Sequence, residues 1–127
     1  MDRMQALQAF FNSFLPAYEE NAIYSAPIQP KMPYLTYEGL YGLYDSDITA
    51  STSVTFQTWF REVSPENAYK MAERISKAIG SKKRLDFDDG YMFIRKESSP
   101  FGTLMGDDAD DVVKRMVHRI NITVFAL

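Results

Sequence analysis

Apolar and polar residues alternate along two long stretches of the chain, and this alternation predicts two long strands. The stretch SVTFQTWFREV predicts one face made of Val54, Phe56, Thr58 and Phe60. The stretch VVKRMVHRINITVFAL predicts one face made of Met116, His118, Ile120, Ile122 and Val124. The opposite faces are polar or mixed. We therefore expect a sheet with one apolar face and one face of different character.

Two other stretches follow the period of an amphipathic helix. In residues 3–15 the helical spacing is kept by Met4, Leu7, Phe11, Phe14 and Leu15. Pro16 should end this helix, because proline has no N–H to donate. In residues 64–80, Ser64 is a candidate cap, Pro65 suits the first helical position, and Gly80 can close the end.

The remaining segments predict shorter elements. Prolines at 16, 27, 30 and 33 favour an extended arm. Residues 33–42 predict a strand, and residues 45–52 predict a turn. SKKR at 81–84 is typical of a solvated connector. Asp89-Gly90 predicts a hairpin turn that sets Phe87 opposite Met92 and Leu85 opposite Ile94. Residues 98–111 are expected to form a loop.

The fold class predicted from these elements is α+β, in a single domain over 1–127. It consists of an antiparallel or mixed sheet flanked by helices, in the order α-β-β-α-β-β-β.

Composition narrows the classes of function. The 127 residues are 46% hydrophobic, enough for one core. With no cysteine there is no disulfide framework. A net charge of −3 argues against a protein that binds nucleic acid phosphates over a broad surface. The basic runs are not interleaved with aromatics, as they would be in a surface on which bases stack. The start does not resemble a signal peptide, and no apolar run is long enough to span a membrane.

Candidate chemistry is sparse. The spacing from Asp86 to Glu97 briefly fits a calcium loop, but Gly90 and Tyr91 stand where a ligand and a glycine are required. His118 is the only histidine and falls on the apolar side of its strand, which favours a hydrogen-bonded, partly buried side chain over a catalytic one. No nucleophile or phosphate-binding motif is present. We expect no enzyme activity, no cofactor, and no catalytic, cofactor-binding or metal-ligating residue.

The segment SSPFGTLMGDDADD is the strongest candidate for contacts with another protein. It combines turn-forming and acidic residues with three apolar ones, and basic residues follow it. The candidate interaction residues are Phe101, Leu104, Met105, Asp107, Asp108, Asp110, Asp111, Lys114 and Arg115, together with Trp59 on the polar side of its strand. An acidic segment next to a basic one suits an interface in which copies of one chain repeat. An ordinary solvated loop is the alternative.

The ordered set of four stretches resembles a known protein family. They are FLPAYEENAI…PKMPYLTYE, SVTFQTWF, SPENAYKMAERISKAIG, and DDGYMFIRKESSPFGTLMGDDADDVVKRMVHRINITVF. In this order they are similar to the tail-terminator, or tail-completion, proteins of long-tailed phages and prophages of Gram-positive bacteria. The resemblance covers most of the chain.

The resemblance implies a structural virion protein. It would form a homohexameric ring at the head-proximal end of the tail tube, stop tube polymerisation, and join the tail to the head connector. The implied partners are other copies of itself, the major tail tube protein and the connector or stopper protein, with DNA passing through the lumen without specific binding and no membrane. The protein would be made in the host cytoplasm and end in the virion. The alternatives are another neck or tail-tube protein, or a small peptide-binding, chaperone-like domain using the tyrosine-rich residues 18–44.

Overall fold

The computed structural model describes residues 1–38, 49–107 and 110–126. Its helices are α1 Arg3–Asn12, α2 Glu20–Ser25 and α3 Glu66–Ile79. Its strands are β1 Ala17–Glu19, β2 Tyr34–Tyr37, β3 Thr49–Arg61, β4 Lys83–Phe87, β5 Gly90–Lys96, β6 Gly102–Asp107 and β7 Asp110–Ala126. The architecture is α+β, as the sequence predicts.

All seven strands join one mixed sheet, in which β7 is the central element. One edge of β7 pairs with β3 along an antiparallel ladder that runs from Thr49↔Phe125 to Arg61↔Val113. The other edge is shared, because β6 pairs with the first half of β7 and β5 with the second half. Strand β4 extends the sheet beyond β5, while β2 and the parallel strand β1 extend it beyond β3.

Helices α1 and α3 cover the same face of the sheet. Phe11 of α1 packs against Tyr37 and Phe56, with ring centroids 5.3 and 5.0 Å apart. Ile75 and Ile79 of α3 belong to the same buried core. The strand residues buried beneath these helices include Leu35, Val54, Phe56, Phe60, Met92, Ile94, Ile120, Ile122 and Val124. The predicted apolar faces of β3 and β7 are thus confirmed.

The ends of the two longer helices follow ordinary capping chemistry. The Asp2 carboxylate accepts a hydrogen bond from the Gln5 backbone N–H, and the Gln5 side chain accepts one from the Asp2 N–H. Helix α3 begins at Glu66, one residue later than predicted, and the Ser64 hydroxyl accepts a bond from the Glu66 N–H at 3.2 Å. Gly80, the residue just after the helix, has φ 61°, a positive value that favours glycine.

Several predicted connections contain regular structure, so those predictions were wrong. The proline-spaced arm is not simply extended, since it holds β1 and α2. The predicted loop at 98–111 contains β6, which pairs with β7 through five residues before the register shifts. The SKKR connector runs into β4. Strand β3 begins at Thr49, within the predicted turn. The rest of that turn and the end of the strand predicted for 33–42 lie outside the described residues.

The β4–β5 hairpin forms two residues out of its predicted register. Leu85 lies opposite Met92, and Phe87 lies opposite Gly90, so the turn is Asp88-Asp89. Gly90 is required in the strand and not in the turn. A Cβ atom added to it would come within 2.1 Å of the Phe125 carbonyl oxygen. Because the shift is by two residues, each side chain keeps its predicted face.

Gly90→Ala should therefore destabilise the protein by about 1–3 kcal/mol or more, because the β5 and β7 backbones would have to separate. Gly106→Ala is the matched control, since its Cβ would meet no atom within 4 Å. Urea unfolding of the two variants checks this. Equal midpoints would show that the approach of β5 to β7 is not as tight as described.

Candidate interaction surface

The face of the sheet opposite α1 and α3, here called the open face, is the main candidate for binding. None of the described helices packs on it along β7, β5 or β4. Helix α2 lies beside β1 and β2. There Tyr34 and Thr36 are buried. The side chains along the uncovered part are half-buried or exposed, among them Thr55, Gln57, Trp59, Val117, Arg119, Asn121 and Thr123. One side of this domain is therefore packed by its own helices and the other is not.

Three aromatic rings and two cations form a cluster at one end of the open face, here called the aromatic–cation cluster. Tyr91 stacks on Phe125 with ring centroids 5.1 Å apart, and Phe93 meets both rings edge-on. The Arg84 guanidinium lies 4.1 Å from the Tyr91 ring centroid, and the Lys82 ammonium 4.3 Å from that of Phe93. These distances are within cation–π range. All three rings are half-buried.

The sequence prediction did not find this cluster. It treated Lys82 and Arg84 as a connector and judged the aromatics to be separate from basic residues. Pairing of β4 with β5 and of β5 with β7 brings the residues together from three segments. The signal available in the sequence was the parity of Tyr91 and Phe93, which lie on the side of β5 opposite the core residues Met92 and Ile94.

The described side chains of the open face include more cations than carboxylates, although the chain as a whole is negative. Its described cations include Arg61, Lys82, Arg84, Arg95, Arg115 and Arg119, and its described carboxylates include Asp86, Glu97 and Asp110. The net charge of the chain is −3. Among the described residues, Lys82, Arg95 and Arg119 have no carboxylate within ion-pair distance. The field of this face therefore favours an anionic partner.

Trp59 and Arg115, two predicted interaction residues, meet at the other end of the open face. The Trp59 indole N–H donates to the Thr36 hydroxyl at 2.9 Å. Its ring stacks on Tyr34, and the Arg115 guanidinium lies 5.6 Å from the Trp59 centroid. Arg115 also donates to the Gln57 side-chain oxygen at 3.0 Å. Both side chains are half-buried, so each keeps part of its surface exposed beside its contacts within the chain.

The three predicted apolar contact residues do not share one environment. Phe101 is half-buried, with its ring centroid 4.5 Å from that of His118. Leu104 packs against the core. Met105 is 42% exposed. Met105 therefore remains the one of these three with most of its surface available to a partner.

Two of the predicted acidic residues, Asp107 and Asp110, lie at the adjoining ends of β6 and β7. Asp110 pairs with Arg61 at 2.9 Å and accepts a hydrogen bond from the Val112 N–H. Its carboxylate is thus used within the chain. Asp107 ends β6 opposite Asp110. Asp108 lies outside the described residues, as do the side chains of Asp107 and Asp111. Lys114 is half-buried in β7, opposite Phe60 on one edge and Gly106 on the other.

His118 is buried between two rings rather than exposed to a substrate. It is 1% exposed, and its ring lies 4.9 Å from Phe56 and 4.5 Å from Phe101. Nδ1 lies 3.2 Å from the Phe101 carbonyl oxygen, whereas Nε2 has no hydrogen-bond partner among the described residues. Burial lowers the pKa of His118 to about 4, because the cation would lose its hydration. The imidazole is neutral at pH 7.

Neither a metal site nor a membrane-spanning helix is found in the described ranges. No group of three or more Asp, Glu, Cys or His residues within 1–38, 49–107 and 110–126 could hold a metal ion. No helix in those ranges has the length and apolar character needed to cross a bilayer.

Comparisons of the chain with protein-family models, with curated proteins and with solved structures found no match. The resemblance described above therefore remains a proposal, and the open face and its charges carry the functional argument.

Acidification should destabilise the fold through His118. The unfolded histidine has a pKa near 6.5 and the folded one about 4, so the unfolded chain takes up the proton first as the pH falls. The contribution of the neutral His118 to the free energy of unfolding is complete above pH 6.5. It is lost as the pH falls towards 4, by up to about 3 kcal/mol. Urea unfolding at pH 7 and at pH 4.5 measures the loss.

His118→Leu provides the control, since leucine cannot titrate. We expect this variant to lose less free energy of unfolding than the parent over the same pH interval. Equal losses in both proteins would mean that His118 does not cause the acid sensitivity.

Proposed function

We propose that this chain is a structural virion protein that forms a hexameric ring at the head-proximal end of a phage tail tube. There it stops tube polymerisation and joins the tail to the head connector. The observation that carries the proposal is the open face. A sheet packed by helices on one side, and carrying half-exposed aromatics and arginines on the other, has the composition of a protein interface.

The buried histidine supports a role without catalysis. His118 is enclosed by Phe56 and Phe101, and within the described residues its polar contact is the Phe101 backbone carbonyl. A general base needs to reach a substrate proton, directly or through one water. His118 is 1% exposed, so it has no such access.

The packing of the tyrosines favours the ring over the peptide-binding alternative. Tyr34 and Tyr37, both within residues 18–44, are 8% and 4% exposed. Tyr37 stacks on Phe11 in the core, and Tyr34 stacks on Trp59. These two rings are used inside the domain, whereas Tyr18 and Tyr24 of the same region are 36% and 63% exposed. Tyr34 and Tyr37 are therefore not available to hold a peptide.

The proposed partners are other copies of the chain, the major tail tube protein and the head-side connector. DNA would pass through the ring lumen without specific binding. The overall charge of −3 is compatible with such a passage, because a strongly basic wall would retain phosphates through counterion release.

A nonsense mutation tests this in a phage or prophage that encodes the chain. We expect filled heads without tails, together with free tails of uncontrolled length, both visible by electron microscopy. Supplying the chain from a plasmid should restore virions. The purified protein should also bind one end of isolated tail tubes as a six-fold ring. Normal virions from the mutant, and no binding to tubes, would contradict the proposal.

A further inference from the structure

The segment that holds β1 and α2 exposes apolar side chains that the domain does not bury. Tyr24 of α2 is 63% exposed, and Ile28, just after this helix, is 84% exposed. Tyr18 of β1 is also exposed, and its ring meets that of Tyr34 edge-on at 6.1 Å. Tyr34 stacks on Trp59, so Tyr18 lies on the open face. Apolar side chains exposed together are typical of a contact with another protein.

The same segment is negatively charged. Residues 16–30 contain two carboxylates, Glu19 and Glu20, and no cation. Among the described residues neither carboxylate lies within ion-pair distance of a cation. Glu19 accepts hydrogen bonds from two backbone N–H groups at the start of α2, and Glu20 accepts one from the Tyr24 hydroxyl. Neutral donors leave both negative charges uncompensated. The exposed and acidic side chains of this segment are here called the arm surface: Tyr18, Glu19, Glu20, Tyr24 and Ile28.

The arm surface and the aromatic–cation cluster lie at opposite edges of the sheet. The strand order is β1-β2-β3-β7-β5-β4, with the arm surface at the β1 end and the cluster at the β4 end. Five steps between neighbouring strands separate the two ends, about 24 Å measured through the sheet. Lys82 and Arg84 are exposed in the cluster, as Ile28 is in the arm surface. Neither surface therefore covers the other within one copy.

The chemistry of the cluster favours carboxylates and apolar side chains over stacked bases. Its ring faces are already occupied, by one another and by Lys82 over Phe93 and Arg84 over Tyr91. A nucleic acid base stacks on a free ring face. The cluster instead offers ring edges, aliphatic stems and two cationic heads. Arg84 also contacts Asp86, but both residues are exposed, and such a pair contributes little.

We propose that the arm surface of one copy docks on the aromatic–cation cluster of a second copy. This inference rests on the proposed ring, and it identifies the two surfaces that join its subunits. The two carboxylates meet the heads of Lys82 and Arg84, while Tyr24 and Ile28 pack against the ring edges beside them. The contact matches opposite charges and buries apolar side chains on both sides.

The arrangement explains why copies should form a ring and not a symmetric pair. The two contacting surfaces are different parts of the chain, so every contact is head-to-tail and leaves one surface of each kind free. Such contacts repeat until the last copy meets the first. The charges also fix the polarity of the ring, because cluster against cluster and arm against arm would both repel.

Charge reversal tests the interface in the intact chain. Lys82→Glu with Arg84→Glu reverses the cluster, and Glu20→Lys with Ile28→Lys reverses the arm surface. Glu19 is kept, because its carboxylate caps α2. Mass photometry and sedimentation velocity, at low and high salt and with isolated tail tubes, measure the assembly of variants whose folding is checked by circular dichroism.

Each reversal has a matched control outside the two surfaces. For the cluster it is Lys70→Glu with Lys83→Glu, which reverses two exposed cations, one on α3 and one on the side of β4 opposite Arg84. For the arm surface it is Val63→Lys with Glu73→Lys, an exposed apolar residue and an exposed carboxylate. We expect both controls to assemble like the parent.

We expect each reversed variant to need at least about tenfold more protein to assemble. An equimolar mixture of the two should assemble again as an alternating ring, because each variant presents the charge that the other needs. Assembly unaffected by either reversal, or a mixture that fails to assemble, would overturn the inference. So would a cluster reversal that leaves assembly intact but abolishes binding of a short single-stranded oligonucleotide.

Cross-linking covers the case in which copies associate only on the tube. The chain has no cysteine, so Ile28→Cys with Lys82→Cys introduces one pair. We expect disulfide-linked ladders up to the full ring on tubes, and no ladder from Val63→Cys with Lys82→Cys. Rings without ladders would refute this interface and keep the proposed function. Ladders and salt-sensitive assembly without tube binding would refute the function and keep the interface.

Discussion

The ladder between β3 and β7 is the constraint on which the rest of the structure depends. Thirteen consecutive antiparallel pairs join Thr49–Arg61 to Val113–Phe125. Because side chains alternate across a strand, this register sends Phe56 and Ile120 into the core and Trp59 and Arg119 to the open face. A shift by one residue would bury arginines and expose the core. The two faces of the domain, one packed by α1 and α3 and one open, follow from this register.

The same ladder accounts for what the sequence could and could not predict. Val54, Phe56 and the apolar residues of β7 repeat with a period of two, so their strands and faces were predictable. Strand β6 was missed because Pro100, Gly102 and Gly106 are typical of loops. The hairpin register was wrong because the closeness of Gly90 to Phe125 outweighs the local Asp-Gly turn signal.

The candidate surface was predictable only in part, for a related reason. Trp59 and Arg115 stand out locally, and they do lie on the open face. The sequence alone does not group Lys82 and Arg84 with the aromatics of β5 and β7. These residues form one cluster only when three strands are paired. Position within the domain also separates residues that look alike in sequence, since Phe101 packs on the buried His118 whereas Met105 is exposed. Long-range pairing therefore decides which charges and rings form a surface.

The central claim is that another copy of the chain covers the open face, and hydroxyl-radical footprinting of aromatic side chains tests it most directly. Oxidation is read by mass spectrometry for dilute protein and for protein assembled on tail tubes. The account predicts that Tyr91, Phe93 and Phe125 become protected on assembly, while Tyr69, 52% exposed on α3, keeps its reactivity. Unchanged oxidation of the three rings, with protection of Tyr69, would contradict the account.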